Sequence, residues 1–160
     1  MKQLMEKVEN CFKASAIATG CSVSCKWREL GTVRDLVHNE PMAELYAKYK
    51  REQGAQFPER AAQQLQPVAS SDIGNVSYTM PVIHPMVKIE ANGPNHTKDF
   101  ASATGTDAAH KRTFEATKCL VMPAVYVLLD ERFFQAVKED YKNSVPEKYQ
   151  DGFSSDEEQQ

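Results

Sequence analysis

The chain has 160 residues, 41% of them apolar and 26% charged, and a formal net charge of −3. That length and composition fit a single ordinary globular domain, and the balance of charge argues against nucleic acid, which calls for a clustered basic face. The longest apolar run, residues 119–129, contains Pro123 and falls well short of the roughly 20 residues that cross a bilayer, so no membrane partner is expected.

Residues 2–19 place Leu4, Val8, Cys11, Phe12, Ser15 and Ile17 near one face of a helix, with Gly20 as its stop. Residues 21–27 alternate small apolar with polar side chains and read as a half-buried strand. A helix followed by one strand needs a sheet to lie on, so the chain is expected to begin inside a domain. Asn39-Glu40-Pro41 opens a second helix that runs to about Gln53 and stops at Gly54, with Met42, Leu45, Tyr46 and Tyr49 on its apolar side. Residues 57–67 are mixed and polar. Residues 70–91 read as rich in strand and loop, ending in a strand at 86–91 that Gly93-Pro94-Asn95 breaks. Residues 106–129 form a long, largely buried helix whose Ala108, Ala109, Ala116 and Cys119 suit close packing on a sheet. Pro123 should kink that helix or divide it. Residues 131–143 make a last helix on Phe133, Phe134, Val137 and Tyr141, and the acidic stretch 154–160 is expected to be disordered. The fold class expected from these elements is α/β.

The opening hexapeptide Met1-Lys2-Gln3-Leu4-Met5-Glu6 lacks the apolar core of a signal peptide, which predicts a cytoplasmic location and reduced cysteines at 11, 21, 25 and 119. All four read as packing residues. The seven glycines are scattered, so no phosphate-cradling loop is present. There is no Gly-x-Ser-x-Gly elbow, and no cysteine has an evident activating partner. Two loops stand out. Ser70-Ser71-Asp72-Ile73-Gly74-Asn75 is a polar turn between apolar segments, read either as surface or as pocket lining. Gly93-Pro94-Asn95-His96-Thr97-Lys98-Asp99-Phe100 follows a strand, where ligands of open α/β sheets gather; its histidine is either a solvated side chain or a metal ligand.

At these loops the chain resembles the aminoacylase/carboxypeptidase family of zinc metallopeptidases, within it the subgroup of dipeptidases and p-aminobenzoyl-glutamate hydrolase subunits. Three stretches carry the resemblance. Residues 6–21 resemble the last helix and strand entry of the family's lid domain. Ser71-Asp72-Ile73-Gly74-Asn75-Val76-Ser77-Tyr78, followed by Pro81 and Ile83-His84-Pro85, resembles its pocket-lining segment. His96-Thr97-Lys98-Asp99-Phe100 resembles its closing histidine motif.

The resemblance implies a C-terminal part of a zinc-peptidase catalytic domain (residues 31–145), a remnant of a ferredoxin-like lid (1–30) and an acidic tail (146–160). It implies hydrolysis of small dipeptides or N-acyl amino acids with two zinc ions, and a homodimer formed through the lid. By the same comparison His96 would ligate one zinc, while Ser71, Asp72, Gly74 and Asn75 would shape the substrate pocket and Asn39 would touch substrate. The family's other metal ligands and its base glutamate have no match here, so this chain alone is expected to be inactive. A second reading makes it a non-catalytic fragment that pairs with a full-length relative.

Overall fold

The computed structural model describes residues 2–27, 33–59, 62 and 71–149. Ser70, most of the 57–67 stretch beyond Glu59 and the acidic residues 154–160 lie outside the described residues. The chain divides between Thr32 and Val33 into two units.

In the first unit, α1 spans Lys2–Thr19. Its end is set by Gly20, whose φ of 69° is open to glycine and costly to most other residues. The Gly20 amide donates to the Ile17 carbonyl (3.3 Å) and the Cys21 amide to that of Ala16 (2.9 Å), a paired closure that satisfies the last carbonyls of the helix. Residues 21–27 follow without regular structure. The Trp27 indole donates to Glu9 at 3.2 Å, and Glu9 pairs with Lys13 at 2.7 Å. The Lys13 ammonium, and after it the indole, hold the Glu9 carboxyl below its usual range. No described side chain of this unit is buried.

The second unit is built on three helices: α2 (Glu40–Glu52), α5 (Asp107–Leu129) and α6 (Glu131–Ser144). Between them come the short α3 (Ile73–Ser77) and α4 (Lys98–Thr104), and a 3-10 turn at Glu147–Tyr149 follows. Each long helix begins on a side-chain cap: Asn39 accepts from Met42, Thr106 from Ala109, and Asp130 from Phe133. Asp130 also ends α5, its amide donating to Tyr126 at 2.8 Å, so one residue makes the corner between α5 and α6. All three helices pack on one another. Their core is Tyr46 from α2, Ala109, Ala116, Cys119 and Pro123 from α5, and Val137 from α6, closed by Val145. Small residues along α5 permit this close approach. Across the same interface the Tyr49 and Tyr126 hydroxyls meet at 3.2 Å, and Phe133 stands edge-on to Tyr126.

The structure corrects the α/β class. Every regular element among the described residues is helical, and neither the catalytic-domain sheet nor a ferredoxin-like sheet is present. Residues 21–27 and 86–91 take no regular structure and have no ladder partner among the described residues. Alternation specifies a two-faced extended backbone; a strand also needs a neighbour to exchange amide and carbonyl bonds with. Residues 73–77 depart further, forming a helical turn. The Ser71 hydroxyl accepts from the Ile73 amide at 3.4 Å and the Asn75 amide donates to the Asp72 carbonyl at 2.8 Å. These local bonds start a turn in which Val76 and Tyr78 count for little. Helix α5 runs unbroken through Pro123, which is fully buried. No helix among the described residues is long and apolar enough to cross a membrane.

Candidate functional site

Residues 33–39 have no regular structure, and their polar backbone groups still need partners. The loop around α3 supplies them. The Arg34 amide donates to Asn75 Oδ1 at 2.8 Å, and the Val37 amide to Ser77 Oγ at 3.1 Å. The Asn39 amide donates to the Val82 carbonyl at 2.8 Å. Ser77 is buried and passes its own proton to the Gly74 carbonyl at 2.6 Å. Gly74 is required by proximity: a Cβ there would collide with the carbonyl oxygen of Arg34.

Side chains then close over the same segment. The Arg34 guanidinium carbon lies 4.9 Å from the Tyr78 ring centroid and 4.0 Å from that of Tyr149, and the two rings meet edge-on at 5.3 Å. Tyr78 donates its hydroxyl proton to Asp35 at 2.8 Å. That bond to a carboxylate, with some burial and the Asp35 charge behind it, raises the Tyr78 phenol above its usual range against the opposing pull of Arg34. Tyr141 donates to the Tyr78 carbonyl at 2.9 Å, tying α6 to the loop.

Of the residues singled out from sequence, Gly74 and Asn75 are brought directly against residues 33–35, while Ser71 and Asp72 serve the turn of α3. Asn39 is only 3% exposed. Its Nδ2 donates to the Val137 carbonyl (3.0 Å) and to Asp140 (2.9 Å), and Asp140 also accepts from the Glu40 amide at 3.0 Å. A carboxylate at that point complements the positive end of α2.

His96 stands apart in character. It is exposed and holds φ at 66°, the one left-handed non-glycine residue among the described residues. The loop that holds it is tight. Thr97 donates to the Pro94 carbonyl at 2.7 Å and accepts from the Phe100 amide at 3.3 Å, capping α4, and a Cβ on Gly93 would meet the Thr97 hydroxyl at 2.7 Å. The His96 ring makes no hydrogen bond or ion pair among the described residues, so the structure does not join it to the loop at 71–75. Nor do any three His, Cys, Asp or Glu side chains among the described residues gather as a metal-holding group. The three or four protein ligands that a zinc shell needs are therefore not assembled among the described residues.

Arg34, Asp35, Asp140 and Tyr149 were not singled out from sequence, and Ser77 and Tyr78 entered only as part of the stretch 71–78, with no role of their own. No periodic signal marks them, because each takes its meaning from a partner far along the chain.

The chain is 32% identical to Xaa-Arg dipeptidase of Homo sapiens over 150 residues and 31% identical to that of Mus musculus over 147. Each match covers 92% of this chain and 34% of the relative, so the chain spans about a third of the length of these curated proteins. No family profile matches it, and no solved structure does. The resemblance to a dipeptidase family is borne out: over 92% of its length the chain is similar to Xaa-Arg dipeptidases.

Proposed function

We propose that this chain is one portion of a zinc-dependent, cytoplasmic dipeptidase or amidohydrolase that cuts the amide bond of small dipeptides or N-acyl amino acids, and that it is inactive alone. The observation that carries this reading is the identity of 31–32% to two proteins named Xaa-Arg dipeptidase, sustained over 92% of the chain. In this reading His96 supplies a single ligand to a metal whose other ligands come from polypeptide outside this chain. The Ser71–Asn75 turn shapes the substrate pocket, Asn39 positions the backbone beside it, and the first unit is the lid remnant through which a homodimer forms.

The test is hydrolysis of a dipeptide ending in arginine, with zinc content measured in parallel. The 160-residue chain alone should show neither activity nor stoichiometric zinc. Joined to the portion of the human relative that it does not match, it should show both, and His96→Ala should remove both. A joined protein that stays inactive and metal-free overturns the reading. The absence of any buried side chain among the described residues of the first unit favours a second reading, a non-catalytic fragment docking on a full-length relative. Co-sedimentation with intact Xaa-Arg dipeptidase checks it, and a chain that sediments independently rejects it.

A further inference from the structure

Helix α5 is apolar on two sides. One side, carrying Ala109, Ala116, Cys119 and Pro123, is buried in the second unit. On the other, Phe114, Val121 and Leu128 recur at heptad spacing and are 57%, 50% and 81% exposed. A helix that is apolar nearly all round belongs in an interior with neighbours on both sides. We propose that this outer face of α5 is the docking surface for the part of the Xaa-Arg dipeptidases that these 160 residues do not match. The inference rests on the reading of the chain as one portion of a longer dipeptidase.

Two observations select that occupant. The matched segment is 34% of each relative, so these proteins hold about twice as much further chain that must pack somewhere. The second is charge. Phe114 is flanked by Lys111 and Lys118, with the Lys118 ammonium 5.2 Å from its ring centroid, and these three, with His110 and Glu115, line a shallow groove of about 330 Å³. The nearby Glu115 is answered by Arg112 on the same helix at 3.7 Å. The face therefore asks for an apolar surface rimmed by carboxylates. A second copy of α5 does not offer one: parallel pairing would oppose lysine to lysine, and antiparallel pairing would set the lysines against the uncharged turns at 119–129.

Hydroxyl-radical footprinting at Phe114, Val121 and Leu128 tests the inference on two samples: this chain alone, and this chain joined to the unmatched portion of human Xaa-Arg dipeptidase. Dipeptide hydrolysis is assayed on the second. Labelling should fall several-fold at all three positions in the joined protein. The double variant Val121→Asp/Leu128→Asp should keep the helicity of the chain alone, since both sites face water, yet restore labelling of Phe114 in the joined protein. A joined protein that hydrolyses dipeptide while all three positions label as in the chain alone overturns the inference and leaves the functional reading standing. Protection without hydrolysis supports the surface and defeats the functional reading; absence of both defeats both. Protection already present in the chain alone overturns the inference, marking a second copy if it depends on concentration and the chain's own residues if it does not.

Discussion

Asn39 makes three hydrogen bonds inside the protein, with Oδ1 accepting from the Met42 amide and Nδ2 donating to the Val137 carbonyl and to Asp140. Asn39→Ala removes a helix cap and strands buried acceptors, so it should cost about 2–3 kcal/mol in urea unfolding. Asn39→Asp separates the two contributions. The cap survives, but a carboxylate now faces Asp140 where an amide donated at 2.9 Å. Two such carboxylates cannot both ionise cheaply, and one is held protonated to higher pH in the folded state. The variant should therefore be weakest at neutral pH and recover toward wild type as pH falls into the carboxylate range. His96 poses the opposite case, a backbone strained in favour of its side chain. A left-handed conformation costs most residues about 1–2 kcal/mol, though histidine is among those found there more often. Glycine relieves that strain but gives back about 0.5–1 kcal/mol in unfolded-state entropy. His96→Gly should thus leave the chain as stable as before, or up to about 1 kcal/mol more stable by urea unfolding. It should also abolish the activity of the joined protein. Loss of stability would mean that the imidazole holds the loop together.

At the level of elements, helix ends are governed by local chemistry. Helix α2 closes at Gly54, with φ at 84°, through bonds from Gly54 to Arg51 (2.8 Å) and Ala55 to Lys50 (3.0 Å), the same closure that Gly20 makes for α1. A Cβ at either glycine would meet open space, so Gly54→Ala should lose only the backbone cost of about 1 kcal/mol, seen as a lower urea midpoint at unchanged slope. This locality made the helices legible in advance: Gly20, Gly54, Asn39 with Pro41, and the apolar spacing of residues 131–143 all sit where the structure uses them. The sheet was misread for the complementary reason. Whether residues 21–27 and 86–91 become strands depends on a partner, and a partner leaves no mark on the segment that awaits it. The candidate site divides along the same line. Gly74 and Asn75 were marked by type and context, whereas the contact of the Arg34 guanidinium with the Tyr78 and Tyr149 rings arises only when distant parts of the chain meet.

Across the whole molecule the two units differ in what stabilises them, and their chromophores report them separately. All six tyrosines lie in the second unit, and the single tryptophan, Trp27, lies in the first. Burial pushes the phenols of Tyr46 and Tyr141 up, the Tyr126 hydroxyl does so for Tyr49, and Asp35 for Tyr78. A raised phenol contributes stability that is complete below the unfolded value of about 10 and is lost as pH climbs through the folded value. The second unit should therefore unfold at alkaline pH with its tyrosine absorbance titrating late and steeply. The first unit has no tyrosine and, among its described residues, no buried side chain and a single helix of 18 residues, a length at which an isolated helix is marginal in water. In urea, Trp27 fluorescence should change at lower denaturant than the tyrosine signal, because nothing in the first unit matches the burial of Tyr46, Val137 and Val145 in the second. Coincident transitions would show the two units to be one cooperative structure. The first helix would then draw its stability from the three-helix unit rather than standing at the limit of its own.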